Sequence, residues 1–360
     1  MRLVAILCSI FILFSCQNSK DKPKDLVFGK NICQYSKWLR IYEAGNQVKI
    51  QIIHPDQSKI FRTFVISKEF VKNSTSILIH ETDAIAALSA THIGMLSVID
   101  EEKSIRAVSD KELVFNQKVK NRIKSGKTIS LGSESQLSID RIIASKSNTI
   151  IYSAFSGEFK DENRLRKMGI TCVPDFDWRE THPLGRAEWV LLFGYLTGKQ
   201  KEAKSIFKEI VKSYNQFKNR GEVESNSKAI SGNFIGDYWY APAGQSFHAK
   251  LFKDAGFNYI YRDSKGTGSI PFSQEQIISN SKDVSIWLNP GFSTKKEILN
   301  TNPKAKFLPF FVTGKVYCSS AKMNKYWELG AVQPHLILSD IYNIAHPKNG
   351  MKLYFYEEVK

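Results

Sequence analysis

The sequence predicts an α/β protein built as two similar lobes joined by one long helix, with a small β meander ahead of them. Three observations carry this prediction. From residue 76 onward, short apolar segments of strand character alternate with helical ones, which is the pattern of parallel sheets covered by helices. The segment SIDRIIASKSNTIIY (138–152) aligns without gaps onto SQEQIISNSKDVSIW (273–287) at a constant offset of 135 residues. Ser138/Ser273, Ile142/Ile277, Ile143/Ile278 and Ile151/Ile286 are identical, and an acid stands at the same place in both, Asp140 and Glu275. Between the copies, Ala203, Ile206, Phe207, Ile210, Val211, Tyr214 and Phe217 form an apolar stripe at helical period, with Lys and Glu on the opposite face. About twenty residues at 1.5 Å rise make a rod of roughly 30 Å, long enough to join two lobes.

Taken in order, the chain opens with an apolar stretch from Leu3 to Phe14, too short for a bilayer and suited to a secretory signal. Leu13-Phe14-Ser15-Cys16 has the Leu-x-small-Cys form of a bacterial lipobox. Residues 1–15 are therefore expected to be a lipoprotein signal peptide, Cys16 the lipidated first residue, and 16–25 a tether. Each buried acyl methylene contributes about 0.8 kcal/mol, so lipid alone would hold the protein to a membrane at the periplasmic face of the cell envelope.

Residues 26–75 alternate apolar and polar in short pieces, with Ala44-Gly45-Asn46 and Pro55-Asp56 as turns, and predict an antiparallel meander. The first lobe is expected over 76–198: SILIH, RAVSD and TISLG as strands, AIAALSATHIGMLSVI and NQKVKNRIKSG as helices. Gly198 ends a helix, the connecting helix follows over 199–220, and the second lobe over 226–346. Its strands and helices include AISGNFI, SFHAKLFKDAG, VSIWL, KVYCS and QPHLILSDIYNIAH, and residues 347–360 form a tail.

Composition narrows the function. The formal charge of +16 comes from Lys spread along the whole chain, not clustered among aromatics as nucleic-acid binding requires. The seven His residues are scattered with no HxH or HxxxH pair, so neither a metal site nor a cofactor is expected. No G-x-S-x-G, Walker A, G-x-G-x-x-G or H-E-x-x-H occurs, and no enzyme is expected. Beyond the lipobox only Cys33, Cys172 and Cys318 remain, which permit one disulfide at most. Pockets form by preference between domains, which directs attention to the gap between the lobes.

The segments THIGMLSVID (91–100), GSESQLSIDRIIASKSNTIIY, ETHPLGRAEWVLLFGYLTGKQKEA, YAPAGQSFHAKLFKDAGFNYIY and YWELGAVQPHLILSDIYNIAHP resemble the helical-backbone class (class III) of periplasmic substrate-binding lipoproteins of ABC importers. The THPLGRAEW and YWE-x-G-x-x-x-P segments are the specific ones. The resemblance implies two Rossmann-like lobes on one backbone helix. It also implies a monomer that captures an iron-siderophore, haem or corrinoid (cobalamin) ligand and hands it to a permease. Members of the class present one acid on the crown of each lobe for the permease, and Asp140 and Glu275 match those positions, although Glu is usual at both.

The expected ligand-lining residues are Thr91 and His92 at a helix start, Glu180, His182 and Arg186 after the strand-like GITCVPDF, Trp239 and Tyr240 at a strand end, and Asn324, Tyr326 and Trp327 before the last helix. Open α/β sheets place ligand contacts at strand carboxyl ends, and large flat ligands need aromatic surfaces. Two other functions compete with this expectation: a metal-ion binder and a surface lipoprotein that scavenges without a transporter.

Overall fold

The computed structural model describes residues 27–67, 76–132, 137–155, 157–348 and 352–360. The lipobox Cys16, the signal peptide and the whole tether lie outside the described residues. No helix among the described residues is long and apolar enough to cross a membrane.

The meander consists of β1 (Leu39–Ala44), β2 (Gln47–Ile53) and β3 (Ile60–Ile66), paired antiparallel. Its register sets Ile41, Ile50 and Phe64 side by side, all fully buried, so this face of the sheet is core. The SILIH strand, expected to open the first lobe, joins this sheet instead: β4 (Ile77–Ile79) pairs parallel to β3.

The first lobe runs β5 (Ile85–Ala87), α1 (Ala90–Ser97), β6 (Ile105–Val108), α2 (Gln117–Lys124), β7 (Ile129–Ser130), α3 (Ile139–Ala144), β8 (Thr149–Ser153), α4 (Glu162–Lys167), β9 (Thr171–Asp175), α5 (Pro183–Glu188) and α6 (Val190–Leu196). Its five parallel strands lie in the order β7-β6-β5-β8-β9. Every residue of β5 and β8 is buried, as expected for strands covered on both faces.

Next comes α7 (Gln200–Arg220). The second lobe runs β10 (Lys228–Ser231), β11 (Asn233–Ile235), β12 (Tyr238–Pro242), α8 (Phe247–Asp254), β13 (Asn258–Tyr259), β14 (Ser269–Phe272), α9 (Gln274–Asn280), β15 (Val284–Leu288), α10 (Lys295–Thr301), α11 (Pro309–Val312), β16 (Lys315–Cys318), α12 (Met323–Leu329), α13 (Pro334–Ala345) and β17 (Glu357–Glu358). Its main sheet has the order β13-β10-β15-β16-β17, with the first four strands parallel, and β11, β12 and β14 form a separate antiparallel sheet. Residues near the C-terminus, expected as a tail, close the main sheet through β17. Three backbone N–H groups, those of Tyr354, Phe355 and Tyr356, hold them in place by donating to the Asp340 carboxylate on α13.

The internal repeat is visible in three dimensions. The helix and strand α3 and β8 recur as α9 and β15 at the same offset of 135, and Ile142 and Ile277 are the buried residue of their respective helices. The order β6-β5-β8-β9 in one sheet matches β13-β10-β15-β16 in the other. Between them, α7 buries Ala203, Phe207, Ile210 and Tyr214 and packs against α6 of the first lobe and α8 and α13 of the second. Tyr214 donates to Asp254 of α8 at 2.6 Å, fixing the far end of the rod to the second lobe.

Candidate functional site: the cleft between the lobes

A cavity of about 290 Å³ lies between the lobes. One wall is the carboxyl edge of the first lobe's sheet: Leu88 and Ser89 follow β5, Ser109 follows β6, and Ser153 ends β8. These strands are neighbours, so the three serines stand in a row with roughly 4.8 Å between strands. The facing wall is Phe247 on α8, Tyr326 and Trp327 on α12, and Ala331 and Ile337 beyond it. Two aromatic side chains of this cleft are unusually exposed, Phe155 at 66% and Trp327 at 45%, one from each lobe.

Arg186 on α5 enters the cavity between the walls. Its Nε donates to Asp177 Oδ2 at 2.9 Å and its guanidinium lies 5.4 Å from the Phe247 ring centroid. Burial disfavours its charge, but the adjacent Asp177 carboxylate outweighs this and raises its pKa. Behind it the polar chain continues inward. Asp177 N–H donates to Asp175 Oδ1 at 2.6 Å, and Asp175 Oδ2 lies 3.3 Å from His92 Nε2. Burial, reinforced by the charge of Asp177, pushes the Asp175 carboxyl up to about 6. On the other wall Tyr326 shares a hydrogen bond of 3.2 Å with His248, whose pKa falls to about 4 because it is buried, with the Arg186 charge adding to the effect.

Of the expected residues, Thr91, Arg186, Tyr326 and Trp327 line this cavity. His92 does not. It is fully buried, where its Nδ1 accepts from Ser89 N–H at 3.2 Å and completes the capping box that starts α1. Trp239 is also fully buried and corrects the expectation of a ligand surface. Strand alternation turns it inward onto Trp287 and Phe310, with its indole N–H on Ser231 O at 3.2 Å, whereas Tyr238 faces solvent. Tyr240 is half-buried on β12 and does not line the cavity.

Glu180 and His182 are likewise structural. Glu180, almost fully buried, accepts from Ser36 Oγ (2.5 Å), the Lys37 and Trp38 backbone N–H groups and the Trp189 indole. Glu188 accepts from the N–H groups of Gln34, Tyr35 and Ser36 at 2.7 to 2.8 Å. Gly185 lets this strap approach, since a Cβ there would sit 2.8 Å from Tyr35 O. The two acids of ETHPLGRAEW thus clasp the N-terminal segment. His182 caps α5 through Nδ1, and burial, then the Lys250 charge, holds its pKa near about 4.

Asn324 sits outside the cavity and bridges the lobes, donating to Glu112 O at 2.8 Å. A stronger bridge stands beside it: the buried Glu328 of α12 accepts from Phe115 N–H (2.7 Å) and Asn116 N–H (3.1 Å) of the first lobe. Asp140 and Glu275 are exposed in the first turns of α3 and α9, behind the caps Ser138 and Ser273. The Ser273 hydroxyl holds the Glu275 carboxyl below its ordinary range.

Sequence reasoning missed the three serines, Phe155 and Phe247. A signal for the serines exists: ALSA, AVSD and IYSA each end an apolar strand in Ser.

Residues 85–322 match the family model described as periplasmic binding protein. An uncharacterized lipoprotein of Methanocaldococcus jannaschii is 28% identical over 311 residues, covering 81% of this chain and 72% of the relative. A second lipoprotein of that organism, also uncharacterized, is 23% identical over 249 residues, covering 64% of this chain and 61% of its own length. Among solved structures, the periplasmic heme-binding protein of Vibrio cholerae superposes with a TM-score of 0.57 at 13% identity, over 72% of this chain and all of that one (100%). An Fe3+-hydroxamate transport protein of Saccharomonospora viridis gives 0.53 at 15%, over 74% and 94%. The vitamin B12-binding protein of Vibrio cholerae gives 0.50 at 12%, over 74% and 98%. Identities this low show likeness of fold alone. With the matched segment spanning both lobes and the helix between them, this chain belongs to the periplasmic binding protein family, in its class III form of two α/β lobes on one backbone helix.

Proposed function

We propose that this protein is the lipid-anchored substrate-binding component of an ABC importer, taking a bulky iron-siderophore, haem or corrinoid ligand between its lobes and delivering it to a permease. The observation that carries this is the pair of exposed aromatic side chains, Phe155 and Trp327, contributed to one cleft by opposite lobes. Large exposed rings in a concave site are costly to leave in water and suit a flat guest that desolvates both. The related solved structures supply the ligand classes, and the lipobox and the lipoprotein relatives support the anchor. Asp140 and Glu275, at repeated positions on the two lobes, are the proposed contacts for permease cations, where exposed charges set orientation and on-rate more than affinity.

Fluorescence titration of the purified mature chain tests the binding step. Trp327→Ala should weaken the bound ligand by about 2 kcal/mol, roughly 30-fold. Asp140→Lys combined with Glu275→Lys should leave binding intact and abolish uptake in cells. Unchanged uptake would exclude the permease contact, and unchanged affinity in Trp327→Ala would exclude the cleft.

A further inference from the structure

The lining of the cleft says which of these ligands it is built for, an inference that rests on the binding function proposed above. The chain carries a formal charge of +16, yet among the described residues that line the cavity Arg186 is the one ionised side chain, and its charge is matched by Asp177. The adjoining pocket on the far side of Phe155 adds Lys160 against Glu158 and Asp161, so it contributes no surplus of positive charge either. The excess lysines lie elsewhere on the surface.

In place of cations the first lobe presents hydroxyls. Ser109 and Ser153 stand at the ends of β6 and β8, and neither hydroxyl is hydrogen-bonded to another described residue. Ser89, between them, is committed to Thr91. Opposite them is the apolar wall of Phe247, Trp327 and Ile337. A ligand that fits has a flat apolar face toward the second lobe and neutral hydrogen-bonding groups toward the first. A ligand with two carboxylates, or a triply anionic complex, would bring more negative charge than the single guanidinium of Arg186, already shared with Asp177, can pair, which is strongly unfavourable.

We propose that the cleft takes an uncharged metal chelate or macrocycle rimmed by amide or hydroxyl groups, held on one side by the serine row and on the other by Trp327. A corrinoid with amide side chains and a neutral ferric trihydroxamate share this chemistry; haem and ferric tricatecholates do not.

The experiment titrates the folded mature chain with four probes, following Trp fluorescence and heat: cyanocobalamin, a neutral ferric trihydroxamate, haem and a ferric tricatecholate. One of the two uncharged probes is expected to bind at least about 100-fold more tightly than either anion. The one that binds tells corrinoid from hydroxamate. Ser109→Ala with Ser153→Ala should weaken that probe about 10-fold while the melting temperature stays put. Preference for haem or the tricatecholate would overturn the charge argument while leaving the binding function standing. An unchanged affinity in the double variant would overturn the role of the serine row. Binding of none of the four by folded protein would overturn the binding function itself, and this inference with it.

Discussion

Adding one methyl group at Gly94 should wedge the lobes apart. A Cβ on that residue would lie 1.7 Å from the carbonyl oxygen of Glu328 and 2.8 Å from its carbon. Ordinary contact starts at 3.4 Å, so α1 and α12 would have to separate by roughly 1.7 Å. The same motion stretches the Glu328 carboxylate away from Phe115 and Asn116, whose hydrogen bonds are 2.7 and 3.1 Å long. Overpacking costs about 1–3 kcal/mol, and each lost bond to a charged acceptor about 1.5–3 kcal/mol. Gly94→Ala is therefore expected to lose at least about 3 kcal/mol, a fall in Tm on the order of 10 °C. Thermal and guanidinium unfolding measure this, with Gly268→Ala as the control, because nothing lies within 4 Å of a Cβ there. Tyr326 and Trp327 ride on the same helix, so ligand affinity should fall as well. If Gly94→Ala melts with Gly268→Ala, α12 is not seated on the first lobe as described and the reasoning fails.

Two further outcomes follow from buried carboxylates. Glu188→Ala removes the acceptor of three backbone N–H groups and should cost about 3–5 kcal/mol, with limited proteolysis opening first near residues 34–36; a variant as resistant as the parent would argue against the clasp. Asp175 titrates at about 6 in the folded state against an ordinary 3.8, so between these values the folded chain holds a proton that the unfolded chain has shed. Stability attributable to this group is therefore greatest in acid and is lost as pH rises through that window, by something on the order of 2–3 kcal/mol. Plotted against Asp175→Asn, the wild type should lose Tm between pH 4 and pH 7, and parallel curves for the two proteins would contradict the shift.

What was legible in the sequence was whatever local periodicity encodes. The stripe from Ala203 to Phe217 gave α7, and the ungapped repeat gave α3-β8 and α9-β15 in matching places. What was not legible depends on partners distant along the chain. Glu180 read as a possible ligand contact because its true partners, residues 36–38, lie more than 140 positions away, and the partners of Glu188, residues 34–36, are as distant. Trp239 misled because three adjacent aromatics do not say which faces inward, a choice made by the register of β12 between β11 and β14. Phe155 and the serines gained meaning only once the carboxyl edge of one sheet was seen to face the other lobe. Thr91, Arg186, Tyr326 and Trp327, expected from the sequence, do line the cavity between the lobes.

The bridge through Glu328 has a bearing on how a full molecule is told from an empty one. With α7 along the spine and α12 riveted to the opposite half, the two halves have little freedom to swing, and a guest shifts a shape equilibrium only as far as it prefers one shape over another. Occupancy is then not announced by a change of outline. Under the proposed function, a permease that receives the cargo must sense the cargo's own exposed surface, or prise the two halves open to find out.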